Sequence, residues 1–368
     1  MFGDQMFQWL QWQWKEMDAQ QEVLERKYMR RSRRVVPDRM NPFVAMSDDE
    51  FVNRFRLKKE SVNSIIQEIQ HGLPVANDRR GNPVPPHLQV LITLACMASG
   101  SHQAVIGDCY DVSQARVSQC LSRVARAIAF LSNRYIQYPA RNMLFKVMND
   151  FQAIAGMPDV VGCIDCTHIK ILRPSRDDSE LFQCREGFFS LNIQAICGPD
   201  LVFYNIVSRW PGSVHDSKIF ENSRIYNELQ DGLLHGHLLG DSGYHCSKYL
   251  LTPLMNPNGP HEEAYNRSHI KTRNTIERAF GVLKRRFCYL GTTMRTNLDT
   301  TKAIIVASAV LHNIAIHTKL DMEEEVRDVH ADMQHENINV PDNDPAMQNN
   351  NAALQGRLKR EQIIRDYF

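Results

Sequence analysis

The apolar pattern of this chain changes period near Pro158, and that change limits the folds that it can adopt. Ahead of it, apolar side chains recur at helical spacings, as in residues 51–69 and 87–98. Beyond it, short apolar runs rich in β-branched residues predict strands. These runs occupy residues 160–171, 191–197 and 201–209, and Gly198-Pro199-Asp200 is predicted to turn the second into the third. This pattern therefore predicts an α/β protein in which an all-α segment precedes a sheet.

The elements after these strands predict how the sheet continues. Apolar residues at helical spacing between Ile219 and Leu229 predict a helix, and residues 237–241 predict a fourth strand. An amphipathic helix near 272–290 and an apolar helix over 300–320 complete this part. The order strand, strand, strand, helix, strand, helix resembles a ribonuclease H-like domain.

Four acidic residues lie on these predicted elements: Asp165 in the middle of the first strand, Asp241 at the end of the fourth, and Asp216 and Glu277 at helix starts. A carboxylate in apolar surroundings costs solvation energy unless a positive charge offsets it. A pair of divalent cations would do so and would supply phosphodiester chemistry. Oxygen ligands without thiolates favour Mg²⁺ or Mn²⁺. We therefore predict a metal site, although Asp216 could instead cap a helix.

The segment after Gly100 has the pattern of a helix-turn-helix. Ser113 is placed to cap its second helix, whose outward face carries Arg116 and Arg123. These two side chains suit contacts with DNA. A plain helical bundle is the alternative that this pattern leaves open.

The helix near 272–290 carries acid and bases along one stripe. Arg273 lies one turn before Glu277, and Lys284 lies two turns after it. Such a stripe could hold metal through the acid and phosphate through the two bases. For the helix alone, a solvated row of salt bridges would explain the same pattern.

Charge and composition divide the chain further. The net charge is +1, but residues 320–368 carry 11 acidic and 5 basic side chains, which leaves a basic surplus on the rest. We predict four parts: a flexible basic arm (1–44), a helical domain with the helix-turn-helix (45–155), a ribonuclease H-like nuclease domain (156–320) and an acidic, largely disordered tail (321–368) whose end could form a short helix. No apolar run approaches the roughly 18 to 20 residues that cross a bilayer, so we expect no membrane span.

The spacing of the acids resembles that of known transposases. Asp241 and Glu277 are separated by 35 residues, as in DD35E transposases and integrases, and Arg273, Glu277 and Lys284 match the R(3)E(6)K part of a bacterial transposase signature. The tyrosine of that signature is replaced by Ile270. The chain is more similar to the PIF/Harbinger transposases and the Harbinger transposase-derived nucleases of animals, which are DDE superfamily endonucleases. That similarity covers about residues 45–320 and is carried by the runs GCIDCTHIKI, SLN, WPGSVHDSKIF, LLGDSGY, TPL, YNRSH, IERAFGVLKRRF and VLHNI.

The resemblance implies a metal-dependent endonuclease that hydrolyses DNA phosphodiester bonds. In that family pattern Asp165 bridges two ions, Asp241 and Glu277 each hold one, and Asp216 assists. It also implies a separate Myb/SANT-like DNA-binding partner and a location in the nucleus, with some protein in the cytoplasm. Two alternative functions stay open: an active transposase, and a catalytically silent DNA- or protein-binding factor. For assembly, a homo-oligomer is an open possibility.

Overall fold

A computed structural model describes residues 41–73, 84–175, 178–232, 234–320 and 350–368. The basic cluster at 27–34 and most of the predicted arm lie outside these residues, as does the tail from 321 to 349.

Helices alone make up the regular structure of the described chain ahead of Pro158, as predicted. They are α1 (Pro42–Ala45), α2 (Asp48–Phe55), α3 (Lys59–Ile69), α4 (Pro86–Ser99), α5 (Gln103–Tyr110), α6 (Gln114–Phe130), α7 (Ser132–Tyr135) and α8 (Arg141–Ala155). The start of α2 shows why the sequence forms a helix there. Ser47 accepts from the Glu50 backbone N–H while Glu50 accepts from that of Ser47, so two otherwise unpaired donors are satisfied.

The turn between α5 and α6 is tight. A side chain at Gly107 would place its Cβ 2.6 Å from the Val112 carbonyl oxygen, so only glycine fits this turn without a shift of the backbone. Ser113 caps α6 by accepting from the Arg116 N–H at 3.3 Å, as predicted. The inward residues predicted for this helix are buried: Val117, Cys120, Leu121 and Val124. Use of this pair of helices as a DNA-binding helix-turn-helix stays a prediction.

The sheet has five strands in the order β3-β2-β1-β4-β5. They are β1 (Val160–Lys170), β2 (Ser190–Cys197), β3 (Phe203–Pro211), β4 (His237–Leu239) and β5 (Leu250–Leu251). The first three pair antiparallel, whereas β4 pairs parallel to both β1 and β5. The predicted turn at Gly198 joins β2 to β3, with the Gly198 N–H donating to Val202 at 2.9 Å. The protein is thus mixed α/β.

Five described helices follow the strand β3. They are α9 (Asp216–Glu221), α10 (Arg224–Gln230), α11 (Pro260–Arg286), α12 (Leu298–His317) and α13 (Asn350–Tyr367). The single helix predicted over 219–229 is two, because the Ser223 hydroxyl donates to the Phe220 carbonyl and accepts from the Tyr226 N–H. The long helix α11 begins earlier than predicted, since Pro260 and two acidic residues form a favourable first turn.

Helix α12 connects the sheet with the helices ahead of it. Asn313 accepts from the Phe203 N–H and donates to the carbonyl oxygens of Phe203 and Tyr135. His312 lies 3.0 Å from the Leu201 carbonyl oxygen. One hydrophobic core, which extends from Phe51 in α2 to Ile363 in α13, includes residues of both parts. The predicted domain boundaries therefore stay a prediction.

The final helix α13 packs against the outer strand of the sheet and against α11. Lys359 donates to the Lys248 carbonyl at 2.9 Å, and Arg360 donates to the Thr252 carbonyl at 3.2 Å. Ile363 is buried, and Phe368 contacts the Tyr265 ring edge-on. A helix was predicted near this end. Among the described residues, none of the helices combines the length and apolar character that a bilayer crossing requires.

Candidate metal centre and nucleic-acid contacts

Three of the four predicted acids converge beside the central strand β1. Asp165 lies within β1, Asp216 is the first residue of α9 after β3, and Asp241 follows the end of β4. Because β4 runs parallel to β1, with Leu239 opposite Cys163, its end brings Asp241 next to Asp165. One carboxylate oxygen from each of the three lies within 4.8 Å of the others. These residues, hereafter the aspartate triad, are half-buried.

Asp165 is the most constrained member of the aspartate triad. Its Oδ1 accepts from the Cys166 N–H at 2.7 Å, and its Oδ2 accepts from Arg273 Nη1 at 3.0 Å. Burial raises the pKa of Asp165 to about 8; Arg273 opposes that rise, and the carboxylates of Asp241 and Asp216 add to it. The protein therefore holds this carboxyl group where negative charge is costly, and a cation at the site would offset that cost.

Asp216 is oriented by a residue of another element, and Asp241 by a residue of its own turn. Asn192 Nδ2, on the buried strand β2, donates to Asp216 Oδ1 and to the Val214 carbonyl, both at 2.9 Å. His215, not Asp216, occupies the N-cap of α9, so the Asp216 carboxylate is not used for capping. The Gly243 N–H donates to Asp241 Oδ1 at 3.0 Å. Burial, followed by the charge of Asp216, raises the pKa of Asp241.

Asn192 and Gly243 were not predicted as site residues. Both lie within the runs SLN and LLGDSGY, so the sequence contained them without indicating what they contact. A Cβ atom at Gly243 would lie 3.1 Å from Asp241 Oδ1 and 3.6 Å from Asp216 Oδ2. Ser217 Oγ donates to the Gly243 carbonyl at 2.7 Å and holds this turn against α9.

Glu277 is not grouped with the aspartate triad among the described residues, although it lies near it. Its Oε1 contacts Arg273 Nη2 in a short ion pair one turn away on α11. Arg273 therefore bridges Glu277 and Asp165, and its side chain is only 15% exposed. Burial acts to lower the pKa of Arg273, but the charges of Asp165 and Glu277 outweigh it and raise that pKa.

The other predicted nucleic-acid contacts lie in two places. Lys284 Nζ donates to Thr167 Oγ1 at 2.7 Å, which places it along β1 two residues beyond Asp165. Arg116 and Arg123 lie on α6, where Arg116 donates to Gln119 at 3.1 Å. Of the described contacts, none joins these two arginines to the aspartate triad. Their role in binding DNA stays a prediction.

Comparisons with a family model and with known proteins agree on one family for this chain. The sequence model described as "DDE superfamily endonuclease" matches residues 164–313, a range that contains all four predicted acids. The chain is 33% identical over 249 residues to "Putative nuclease HARBI1" of Rattus norvegicus and to that of Homo sapiens, covering 66% of this chain and 71% of each relative. It is 28% identical over 269 residues to "Protein ALP1-like" of Arabidopsis thaliana, covering 68% of this chain and 65% of that protein.

No solved structure matches the chain. The assignment to a family therefore rests on the sequence matches. The sheet and its converging aspartates agree with these matches. The chain belongs to the Harbinger transposase-derived nucleases, a family of DDE superfamily endonucleases, and is a nuclease.

Proposed function

We propose that the protein is a DNA endonuclease with a ribonuclease H-like catalytic fold, and that it hydrolyses phosphodiester bonds with two divalent cations. The observation that carries this proposal is the convergence of the aspartate triad within 4.8 Å. The strand order β3-β2-β1-β4-β5, with three antiparallel strands followed by two parallel ones, supports the fold assignment.

The donor set fits hard divalent cations. Three carboxylate oxygens at this separation repel one another. A cation between them would attract all three and outweigh that repulsion. The triad offers oxygen ligands, which Mg²⁺ and Mn²⁺ prefer. The aspartate triad would hold one cation, and Asp165 with Glu277 would hold another. When bound, such cations lower the pKa of a water molecule and stabilise charge on the departing oxygen.

The chain's own residues supply orientation and charge. Asn192 and the Gly243 N–H hold the carboxylates of Asp216 and Asp241 in place, so that little reorganisation is needed during the reaction. Lys284, fixed by Thr167 along β1, presents a positive charge on the side of the strand where Asp165 lies. A DNA phosphate beside the aspartate triad would be attracted to this charge. Arg116 and Arg123 would contact DNA at a greater distance along the chain's surface.

Plasmid nicking tests this function directly. We expect purified protein to nick supercoiled plasmid with Mg²⁺ or Mn²⁺ and to be inactive with EDTA. Asp165→Asn and Asp241→Asn should each lower the rate by more than about 100-fold, beyond the loss typical of outer residues at metal sites. Asp231→Asn, which removes an exposed carboxylate after α10, serves as the matched control and should leave nicking unchanged. Nicking that survives in Asp165→Asn would overturn the proposed site.

The resemblance in sequence also supports a Myb/SANT-like partner and a nuclear location with a cytoplasmic fraction. Both can be tested in cells by tagging the full chain and following its location with and without such a partner. A diffuse distribution that is the same with and without the partner would contradict both the nuclear location and an effect of the partner on it.

A further inference from the structure

Arg273 occupies oxygens that a complete metal centre needs. Its Nη1 lies 3.0 Å from Asp165 Oδ2, and its Nη2 contacts Glu277 Oε1. The guanidinium group is thus a cation of the chain itself, placed between the first and last of the four predicted acids. Both partners and the arginine are largely shielded from water, with exposed fractions of 15% for Asp165 and Arg273 and 32% for Glu277.

The carboxylates of the site differ in whether a charged or a neutral group donates to them. Asp216 and Asp241 accept hydrogen bonds from Asn192 and Gly243, which are neutral groups. In the hydrogen bonds described, no guanidinium group has to be displaced from these two carboxylates before a cation binds them. Glu277 instead has an oxygen engaged by a positive group one helical turn away. Asp216 and Asp241 can therefore receive a first cation while Arg273 stays in place, whereas a second cation between Asp165 and Glu277 would meet the guanidinium group.

A guanidinium group and a divalent cation cannot share these oxygens at low cost. Like charges a few ångströms apart repel strongly where water is partly excluded. The Arg273 side chain is only 15% exposed, so a guanidinium group displaced from both carboxylates would need another partner for its charge. A phosphate offers such a partner, because its oxygens match the two parallel N–H donors of arginine.

We propose that Arg273 exchanges partners when DNA binds: it leaves Asp165 and Glu277 for a phosphate of the substrate, and Glu277 is then able to hold the second cation. This inference rests on the proposed two-cation function. It states in addition that DNA completes the metal centre, so that the nuclease is assembled only on its substrate. Arg273 acts here as a positioning residue, through the charge that it withdraws from the two carboxylates.

Counting bound Mn²⁺ by electron paramagnetic resonance tests the exchange without relying on activity. For the wild-type chain we expect one Mn²⁺ per chain with Mn²⁺ alone and two with Mn²⁺ and a short DNA duplex. For Arg273→Gln we expect two Mn²⁺ without DNA, with the second bound at least about tenfold more tightly than in the wild type. Wild-type protein that binds two Mn²⁺ without DNA would overturn the exchange, even if the arginine variant failed to fold.

Two further variants separate this inference from the proposed function. Lys271→Gln removes an exposed positive charge from the same helix and should bind Mn²⁺ like the wild type. Glu277→Gln should bind the first Mn²⁺ like the wild type and gain no second Mn²⁺ when DNA is added. If Arg273→Gln and the wild type bind Mn²⁺ alike while metal-dependent nicking is intact, the exchange is wrong and the nuclease stands. If Mn²⁺ binding is insensitive to Asp165→Asn and nicking is absent, the proposed function itself fails.

Discussion

At the scale of single residues, the neighbours of the carboxylates matter as much as the carboxylates. Asn192 and Gly243 contribute no charge, but they hold Asp216 and Asp241 in the orientation that brings the aspartate triad together. Outer residues of this kind commonly change metal affinity by about 10- to 100-fold when they are replaced.

Gly243→Ala tests the tightness of this arrangement. The added methyl group would lie 3.1 Å from Asp241 Oδ1, a separation that forces the carboxylate to move by a few tenths of an ångström. We expect Mn²⁺ affinity to fall about tenfold, measured by calorimetric titration. Gly291→Ala, at a position with open space around it, is the control and should bind normally. Unchanged affinity in Gly243→Ala would show that the turn adjusts freely.

Asn313→Ala tests the attachment of β3 to α12. The substitution leaves the buried N–H and carbonyl of Phe203 without the partners that Asn313 provides. Each unpaired buried group costs about 1 to 3 kcal/mol, so a loss of about 3 kcal/mol in the free energy of unfolding is expected. Chemical denaturation measures it, with the exposed His317→Ala on the same helix as control. Equal stability of the two variants would contradict this role.

At the scale of elements, α13 completes the sheet beyond β5. An exposed outer strand offers unpaired backbone groups to other chains, and a covering helix prevents that. Gly356 permits the close approach of this helix, since a Cβ atom there would lie 2.6 Å from Ser247 Cα. The end of the segment predicted as an acidic, largely disordered tail is therefore a helix that packs on the rest of the protein.

Gly356→Ala should loosen this helix although alanine favours helices. The clash with the backbone of Ser247 outweighs the gain in helix propensity. We expect faster amide hydrogen exchange at Leu250 and Leu251, followed by mass spectrometry. Gln362→Ala changes an exposed residue of the same helix and is expected to leave this exchange unchanged. Equal protection in the two variants would mean that the helix tolerates the methyl group.

At the scale of the whole molecule, the helical part and the sheet share one hydrophobic core. Helix α12, which follows the metal centre in sequence, packs on both: Thr300 contacts Ser122 of α6 at 3.1 Å, and Asn313 contacts β3. Each part therefore stabilises the other. The shared core also contains ionisable groups whose protonation is linked to folding of the entire chain.

Stability should fall on acidification because of two buried histidines. Burial lowers the pKa of His269 to about 4 and of His312 to about 3, from a usual value of 6.5. Below pH 6.5 the unfolded chain binds protons that the folded chain does not. Stability present above pH 6.5 is therefore lost as the pH falls toward 4 for His269 and 3 for His312. The slope is about 1.4 kcal/mol per pH unit for each histidine.

His312→Gln separates this contribution from that of other groups. Glutamine keeps an N–H donor for the Leu201 carbonyl but does not titrate. We expect the difference in unfolding free energy between pH 7.5 and pH 5 to shrink in this variant, as measured by denaturant titration at each pH. An equal pH dependence in both proteins would show that His312 takes up no proton on unfolding.

Much of the organisation was predictable from the sequence because it depends on local patterns. The change near Pro158 from helical apolar spacing to short β-branched runs, the cap at Ser113 and the turn at Gly198 are set by residues close in sequence. Spacing and motif similarity likewise indicated Asp165, Asp216, Asp241 and Glu277 as the candidate metal site and a nuclease family. These features follow from propensities and motifs that the linear chain carries.

Only the tertiary structure decided which groups meet. The 4.8 Å convergence of the aspartate triad depends on the parallel pairing of β4 with β1, and the contact of Asn192 with Asp216 joins residues that are 24 positions apart. The contact of Arg273 with Asp165, which forms one side of the bridge to Glu277, joins residues that are 108 positions apart. Local patterns carry no information on such distances, because packing of the shared core brings these elements together. The sequence by itself determined the chemistry available to this protein, and the tertiary structure determined which charge lies beside which.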